Sequence, residues 1–464
     1  MRLSQKISLG ILALAFLGIL AACEEDDFND GPFVSKRKAI LSFTFNEFQP
    51  PVVGVINYED STVTATVPFG TDMSALIPTI EISDKATISP PSGVENDFTN
   101  TTTYIVTAEN GTTQEWPVTV LEGEEEAQLT LKLSNPIWNL SPSGTGVPDF
   151  FTTDGERGMA YGNDHLYLTN NNDNILIIDP ENGSVLSSLD MTGIDGGTPK
   201  IADVEVSGGA ILACNTVEWT SDEGGAPTEF KIYLWDNEDD TPEVFLSYTN
   251  TQYRMGDSFS VIGDINTNAV ILTAFGRKFL NPTDRGDLIF RWNVTNGVVD
   301  DEPELITVGG VPTLTKLGSR PHVQMMAVES EFYYVNANDI EITKVGLDGT
   351  FETRLPNSGR QLYDGFSSYF EIFEFLDKTV LITAFPRSNI ESRLIVLDIT
   401  DGIGQVTEDD VILSQNFMEG SGEIANINAG GAVTFNIVDE NNVEVYCLIT
   451  NQAVAKFNLT AELQ

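Results

Sequence analysis

VLITAFPRS, at residues 380–388, has a near copy in VILTAFGRK at 270–278. Each writes a β-branched apolar run, then Thr-Ala-Phe, then a backbone breaker and an arginine. A short apolar run of this kind, bounded by Pro or Gly, reads as a strand. Downstream of each lies an apolar strand that ends in Asp or Asn and a turn, LIFRWNVTNG at 288–297 and LIVLDITDG at 394–402. The same element recurs as ILIIDPENG at 175–183 and TKVGLDG at 343–349. It recurs again as IYLWDNEDD at 232–240, without its glycine, and as VAKFNLT at 454–460. Asn-Gly and Asp-Gly supply the positive φ that a tight hairpin requires. Upstream, DSFSVIG precedes AVILTAF, HVQMMAV precedes FYYVNA and YFEIFEF precedes VLITAF. A unit is therefore four antiparallel strands, a to d, repeating every roughly 50–60 residues.

Six such sheets cannot each bury both faces alone, and radial packing into a propeller solves the problem. The last unit supplies a (AVTFNIV), b (VEVYCLI) and c (AVAKFNL) but no d. The missing strand is expected from LTLKLS at 129–134, ahead of the first unit, so that the two ends of the domain close the ring. Long segments of helical period are absent. The fold class expected is all-β, with a six-bladed β-propeller over 129–464. Ahead of it, 39–121 carries short alternating strands (ILSFTF, GVINY, STVTATVP, TIEIS) and an Asn110-Gly111 hairpin turn, the pattern of a β-sandwich. Residues 122–128 read as an acidic linker, and 23–38 as a tether, acidic and then basic.

Residues 1–22 have the form of a signal peptide: Arg2 and Lys6, an apolar stretch from Ile7 to Leu20, and Leu20-Ala21-Ala22-Cys23. This resembles the lipobox of bacterial lipoproteins, which implies lipidation of Cys23 and anchoring in a membrane. The acidic run Glu24 to Asp27 resembles the surface-export signal of Bacteroidota lipoproteins and implies an outer-membrane protein facing outward. Segment 39–121, with VPFGTDMSALIPTIEIS and SGVENDFTN, resembles the immunoglobulin-like domains that open many such lipoproteins. Residues 127–464, with RGMAYGNDHLYLTNNN, resemble a propeller-like family of unknown function in the same phylum, with no catalytic residues to carry over.

The chain carries 24 basic and 69 acidic residues, a formal charge of −45. That balance excludes nucleic acid as a partner, because affinity there comes from neutralising phosphates. It also makes the arginines informative. Arg157, Arg254 and Arg320 precede strand a in three blades, and Arg277 and Arg387 follow strand b in two. Arg285 and Arg393 share those b–c loops, and Arg360 lies in a d–a connection. Connections d–a and b–c open on one face of a propeller, so eight of the twelve arginines map to that face. A guanidinium fork reads a carboxylate or sulfate at two points. With Trp219, Tyr253 and Tyr363 as sugar platforms, the face is a candidate site for an extracellular glycan, including one bearing uronate. The bland alternative is that the arginines clamp loop carboxylates such as Asp257, Asp284 and Asp287 and tie adjacent blades together.

His322, beside Arg320 at the start of a strand expected to line the channel, is a candidate ligand contact; no acid or nucleophile partner is readable, and a structural or solvent-facing histidine is the favoured alternative. His165 falls on the opposite face. Cys214 and Cys447 sit in apolar runs of different repeats and read as buried small hydrophobes. The Asp/Asn-rich TNNNDN and DNEDD lack the spacing of a calcium loop, and no cofactor or metal motif is present in the sequence. The leading reading is a non-catalytic binding module beside an outer-membrane transporter complex. Its rivals are a propeller-type polysaccharide lyase or glycoside hydrolase, and a protein-binding scaffold or adhesin.

Overall fold

The computed structural model describes residues 34–124, 129–151, 156–170, 174–218, 228–250, 253–274, 286–310, 321–337, 340–356, 369–386, 391–419 and 430–463. The chain divides into two compact units between Ala127 and Gln128. Cys23, Trp219, Arg277, Arg285, Arg320, Arg360, Tyr363 and Arg387 lie outside the described residues.

The first unit is a two-sheet sandwich. Val52–Val53, Ile40–Phe45 and Pro78–Ile82 form one sheet. Val55–Asn57, Thr62–Val67, Thr113–Glu122, Thr102–Thr107 and Thr87–Ser89 form the other, in that spatial order. Alternating positions of both sheets bury Phe43, Phe45, Tyr104, Trp116 and Val118 between them. At Gly54 the chain steps from one sheet to the other, and a Cβ there would stand 2.9 Å from Val63 Cγ1. Thr62–Val67 runs parallel to Thr113–Glu122. Local sequence carries no sign of that pairing, which joins segments half a domain apart.

Among the described residues the second unit holds six blades built on the expected a-to-d order, besides a two-stranded ladder of Val217–Glu218 with Arg254–Met255. Blade 1 comprises Met159–Gly162, His165–Asn170, Asn174–Ile178 and Val185–Ser188. Blade 2 comprises Asp203–Ser207, Ala210–Cys214, Thr228–Trp235 and Glu243–Asn250. Blade 3 comprises Phe259–Gly263, Asn268–Ala274, Leu288–Thr295 and a broken outer strand, Val298–Val299 then Glu304–Thr307. Blade 4 comprises His322–Gln324, Phe332–Ala337, Ile340–Gly346 and Phe351–Arg354. Blade 5 comprises Phe370–Phe375, Lys378–Pro386, Ser392–Asp398 and Val411–Leu413. Blade 6 comprises Gly431–Asp439, Asn442–Ile449 and Ala453–Leu463.

Each a strand contacts the a strands of the blades on either side, and blade 6 returns to blade 1, so the ring is closed. The outer edge of blade 6 is supplied from the front of the unit. Trp138–Leu140 pairs with 454–456, and Leu129–Leu133 pairs with 459–463. Leu131 thereby joins the core with Val443, Phe457 and Leu459.

The repeated stretch is the b strand of blades 3 and 5. Val270, Ile271, Leu272 and Ala274 are buried, as are Val380, Leu381, Ile382 and Ala384, because a b strand is covered by neighbouring blades on both faces. In blade 5 the strand extends through Pro386, opposite Ser392. Where IYLWDNEDD lacks the turn glycine, Asn237 closes the turn with its side chain: its Oδ1 accepts from Asp239 N at 3.1 Å and its amide donates to Asp240.

Candidate functional site

The threonine of the repeated stretch fixes the mouth of the ring. Thr273 Oγ1 donates to Ser258 O at 2.7 Å, and Thr383 Oγ1 donates to Tyr369 O at 2.5 Å. In blade 1, Thr169 Oγ1 accepts from Gly158 N at 2.9 Å. Each hydroxyl ties the end of strand b to the residue at or just before the start of strand a, where the backbone leaves its ladder. The loop-face residues are thus held from below by a recurring side chain.

Arg157 and Arg254 converge on Asp257. Arg254 forms a two-pronged pair, Nε to Oδ2 at 2.7 Å and Nη2 to Oδ1 at 2.5 Å. Arg157 Nη1 stands 3.5 Å from the same Oδ1. The group is enclosed, with 17 %, 16 % and 3 % of the Arg157, Arg254 and Asp257 side chains exposed. Burial lowers the Arg157 pKa, Asp257 raises it and Arg254 lowers it again. Two local features set the geometry. Arg254–Met255 pairs with Val217–Glu218, stitching the connection into blade 3 onto the b–c side of blade 2. Gly256, at φ 82°, has room for no Cβ, which would fall 2.0 Å from Asn215 O. The clamping of a loop carboxylate is therefore real at Asp257, and it brings together arginines from blades 1 and 3.

Beneath this tier the a strands place acids on the axis. Tyr369, at the start of blade 5, donates its hydroxyl to Asp203 Oδ2 of blade 2. In a ring of six those blades are opposite, so the bond spans the axis. Asp203 also accepts from Phe259 N at 3.0 Å and Val204 N at 2.9 Å. Burial nevertheless raises its carboxyl to about 7. Glu371 accepts from Gln324 Nε2 at 2.7 Å and is raised by burial, and then by Asp203, to about 8. Glu205 is raised by burial and by the charge of Glu371 and Asp203. Both glutamates keep part of their surface open.

His322 belongs to the wall of this tier and does not reach a ligand space. It is fully buried, stacked on Tyr369 at 4.4 Å and edge-on to Phe370. Its Nε2 lies 3.1 Å from Phe370 O, which it serves as donor, and burial lowers its pKa to about 3, so the ring is neutral. The expectation of a channel-lining ligand contact is corrected here: a short a strand, His322–Gln324, turns the side chain into the packing between blades. Tyr253 is half-buried, its ring in a T-shaped contact with Phe290 at 5.4 Å. Arg393 pairs with Glu391 and donates to Ser414 O. His165, on the other face, meets Glu238 at 2.7 Å.

The fold and site define an all-β protein of two units, a sandwich and a six-bladed propeller with paired arginines at its mouth. Residues 40–120 match the family described as "SGBP, N-terminal", and residues 164–338 match a domain of unknown function, DUF8500. A DUF4623 family protein from Bacteroides eggerthii is similar in structure at a TM-score of 0.54 and 16 % identity, over 92 % of this chain and 99 % of that one. The likeness is one of fold. The WD40 beta propeller domain of Doa1 aligns at a TM-score of 0.36 and 12 % identity, over 76 % of this chain and 88 % of that one. No curated protein matches the chain.

Proposed function

We propose that this protein is a lipid-anchored surface lipoprotein of the bacterial outer membrane that binds extracellular glycan without cleaving it. The observation that carries the reading is the match of the sandwich to the SGBP N-terminal family, SGBP denoting a surface glycan-binding protein. In this reading Cys23 carries the lipid, the sandwich spaces the propeller from its anchor, and the loop face takes the ligand. Arg157 and Arg254 are the described residues proposed to meet it, with Arg277, Arg320, Arg387 and Trp219 proposed from sequence. Handing the bound glycan to an outer-membrane transporter is the role consistent with that family.

A hydrolase or lyase reading needs an acid and a base within reach of substrate. Asp203 and His322 are fully buried and Tyr369 nearly so, whereas Glu205 and Glu371 keep part of their surface open, so product release is what separates binding from catalysis. The test is a panel of polysaccharides assayed by affinity electrophoresis and for release of reducing ends or unsaturated products. Retardation without products is expected. Product release defeats the non-catalytic reading, and binding to no glycan defeats the whole.

A further inference from the structure

We infer that Arg157 reads an anionic substituent, a carboxylate or a sulfate ester, on the glycan taken at the loop face. The inference rests on the glycan-binding reading and names its ligand class. Asp257 is already committed to Arg254 through both oxygens, at 2.7 and 2.5 Å. Arg157 reaches the same carboxylate only at 3.5 Å, beyond an ordinary N–H···O bond. Its Nε is buried and has no hydrogen-bond partner. A guanidinium presents five donors in a rigid fork, and enclosing them unbonded is unfavourable. Nε is closed to an incoming group, which meets the fork through the 17 % of the side chain left exposed, and two or three acceptor oxygens satisfy it better than a neutral hydroxyl does.

Charge and shape agree with this assignment. Two guanidinium groups, those of Arg157 and Arg254, meet at the one carboxylate of Asp257 inside a chain of formal charge −45. Asp203, which packs against Gly158 beside Arg157, is a hydrogen-bonded carboxyl raised to about 7, so near neutrality it opposes an anion less than an ordinary aspartate does. On the blade 6 side a Cβ at Gly430 would stand in ordinary contact with Arg157 Cγ, at 3.7 Å, and would collide with Thr450 Oγ1, at 2.5 Å.

The test uses the mature full-length protein and three oligosaccharides of equal length: neutral, uronate-bearing and sulfated. Titration calorimetry at low salt is expected to give at least about tenfold tighter binding for an acidic probe, with the advantage shrinking as salt screens the charge. The uronate and sulfate arms identify which anion is read. Arg157→Gln is expected to remove that advantage, so that acidic and neutral probes bind the variant equally, and Arg157→Lys to restore part of it. Equal binding of neutral and acidic probes overturns the inference and leaves the glycan reading standing. So does a preference that survives Arg157→Gln. Should Arg157→Gln fail to fold, salt-insensitive binding of the acidic probes by the unaltered protein overturns it. Binding of none of the three overturns both readings.

Discussion

Asp257 serves two guanidinium groups from different blades, so its loss leaves more than one charge uncompensated. Removing one member of an enclosed ion pair costs about 3–5 kcal/mol. Asp257→Ala is therefore expected at the upper end of that range and Arg254→Ala at the lower end, measured by urea unfolding of the propeller. Equal, small losses would mean that water replaces the pair. The threonines of the repeated stretch make a milder case. Thr383→Val leaves Tyr369 O without its hydroxyl donor and is expected to cost about 1 kcal/mol, with little change in fold. Cys214 and Cys447 are free, buried thiols whose pKa values burial raises. A thiol reagent at mildly alkaline pH is expected to label neither until denaturant is added, since the thiolate is the reactive form. Prompt labelling of the folded protein would contradict their placement.

Strand identity was legible because strand, turn and period all repeat: the c strands of blades 1 to 5 end in the turns that the sequence marks, that of blade 6 runs on through Leu463, and LTLKLS takes the place left open beside it. That closure has a direct consequence. Leu131 enters the blade 6 core while Lys132 points outward, 62 % exposed, to Glu462. Leu131→Ala is expected to cost about 2–3 kcal/mol. Lys132→Ala is expected to stay within about 0.5 kcal/mol. Equal effects would mean that the strand adds no core. Other features were hidden for physical reasons. The parallel pair in the sandwich depends on a contact between distant segments, which no local period encodes. The axial acids stand in DVEVS and FEIFEF at alternating positions, where a strand ordinarily faces solvent. Radial packing turns that side inward, so residues that read as surface become Asp203, Glu205 and Glu371 around an axis. The arginines were placed on one face by counting connections, but their partner could be chosen only in three dimensions.

Across the whole molecule, the axial carboxyl groups give stability an unusual dependence on pH. Their folded pKa values are raised, so the ring holds protons that the unfolded chain releases above roughly pH 4. Their contribution is full below that point and is lost as pH climbs through about 7 for Asp203 and about 8 for Glu371. The melting temperature is expected to fall between about pH 5 and about pH 8.5, and Glu371→Gln to flatten the fall. A profile that rises over that interval, or is indifferent to Glu371→Gln, would contradict this. The pairing of Leu129 with Leu463 carries a further implication, for time rather than for energy. The first of these residues is made more than three hundred positions before the second, and gathering such a span costs about 5 kcal/mol of chain entropy. Until Leu463 exists, the early segment has no docking place and the c strand of blade 6 has an open edge. Such an edge recruits strangers, so closure of the ring waits until synthesis has passed the strand that holds Leu463.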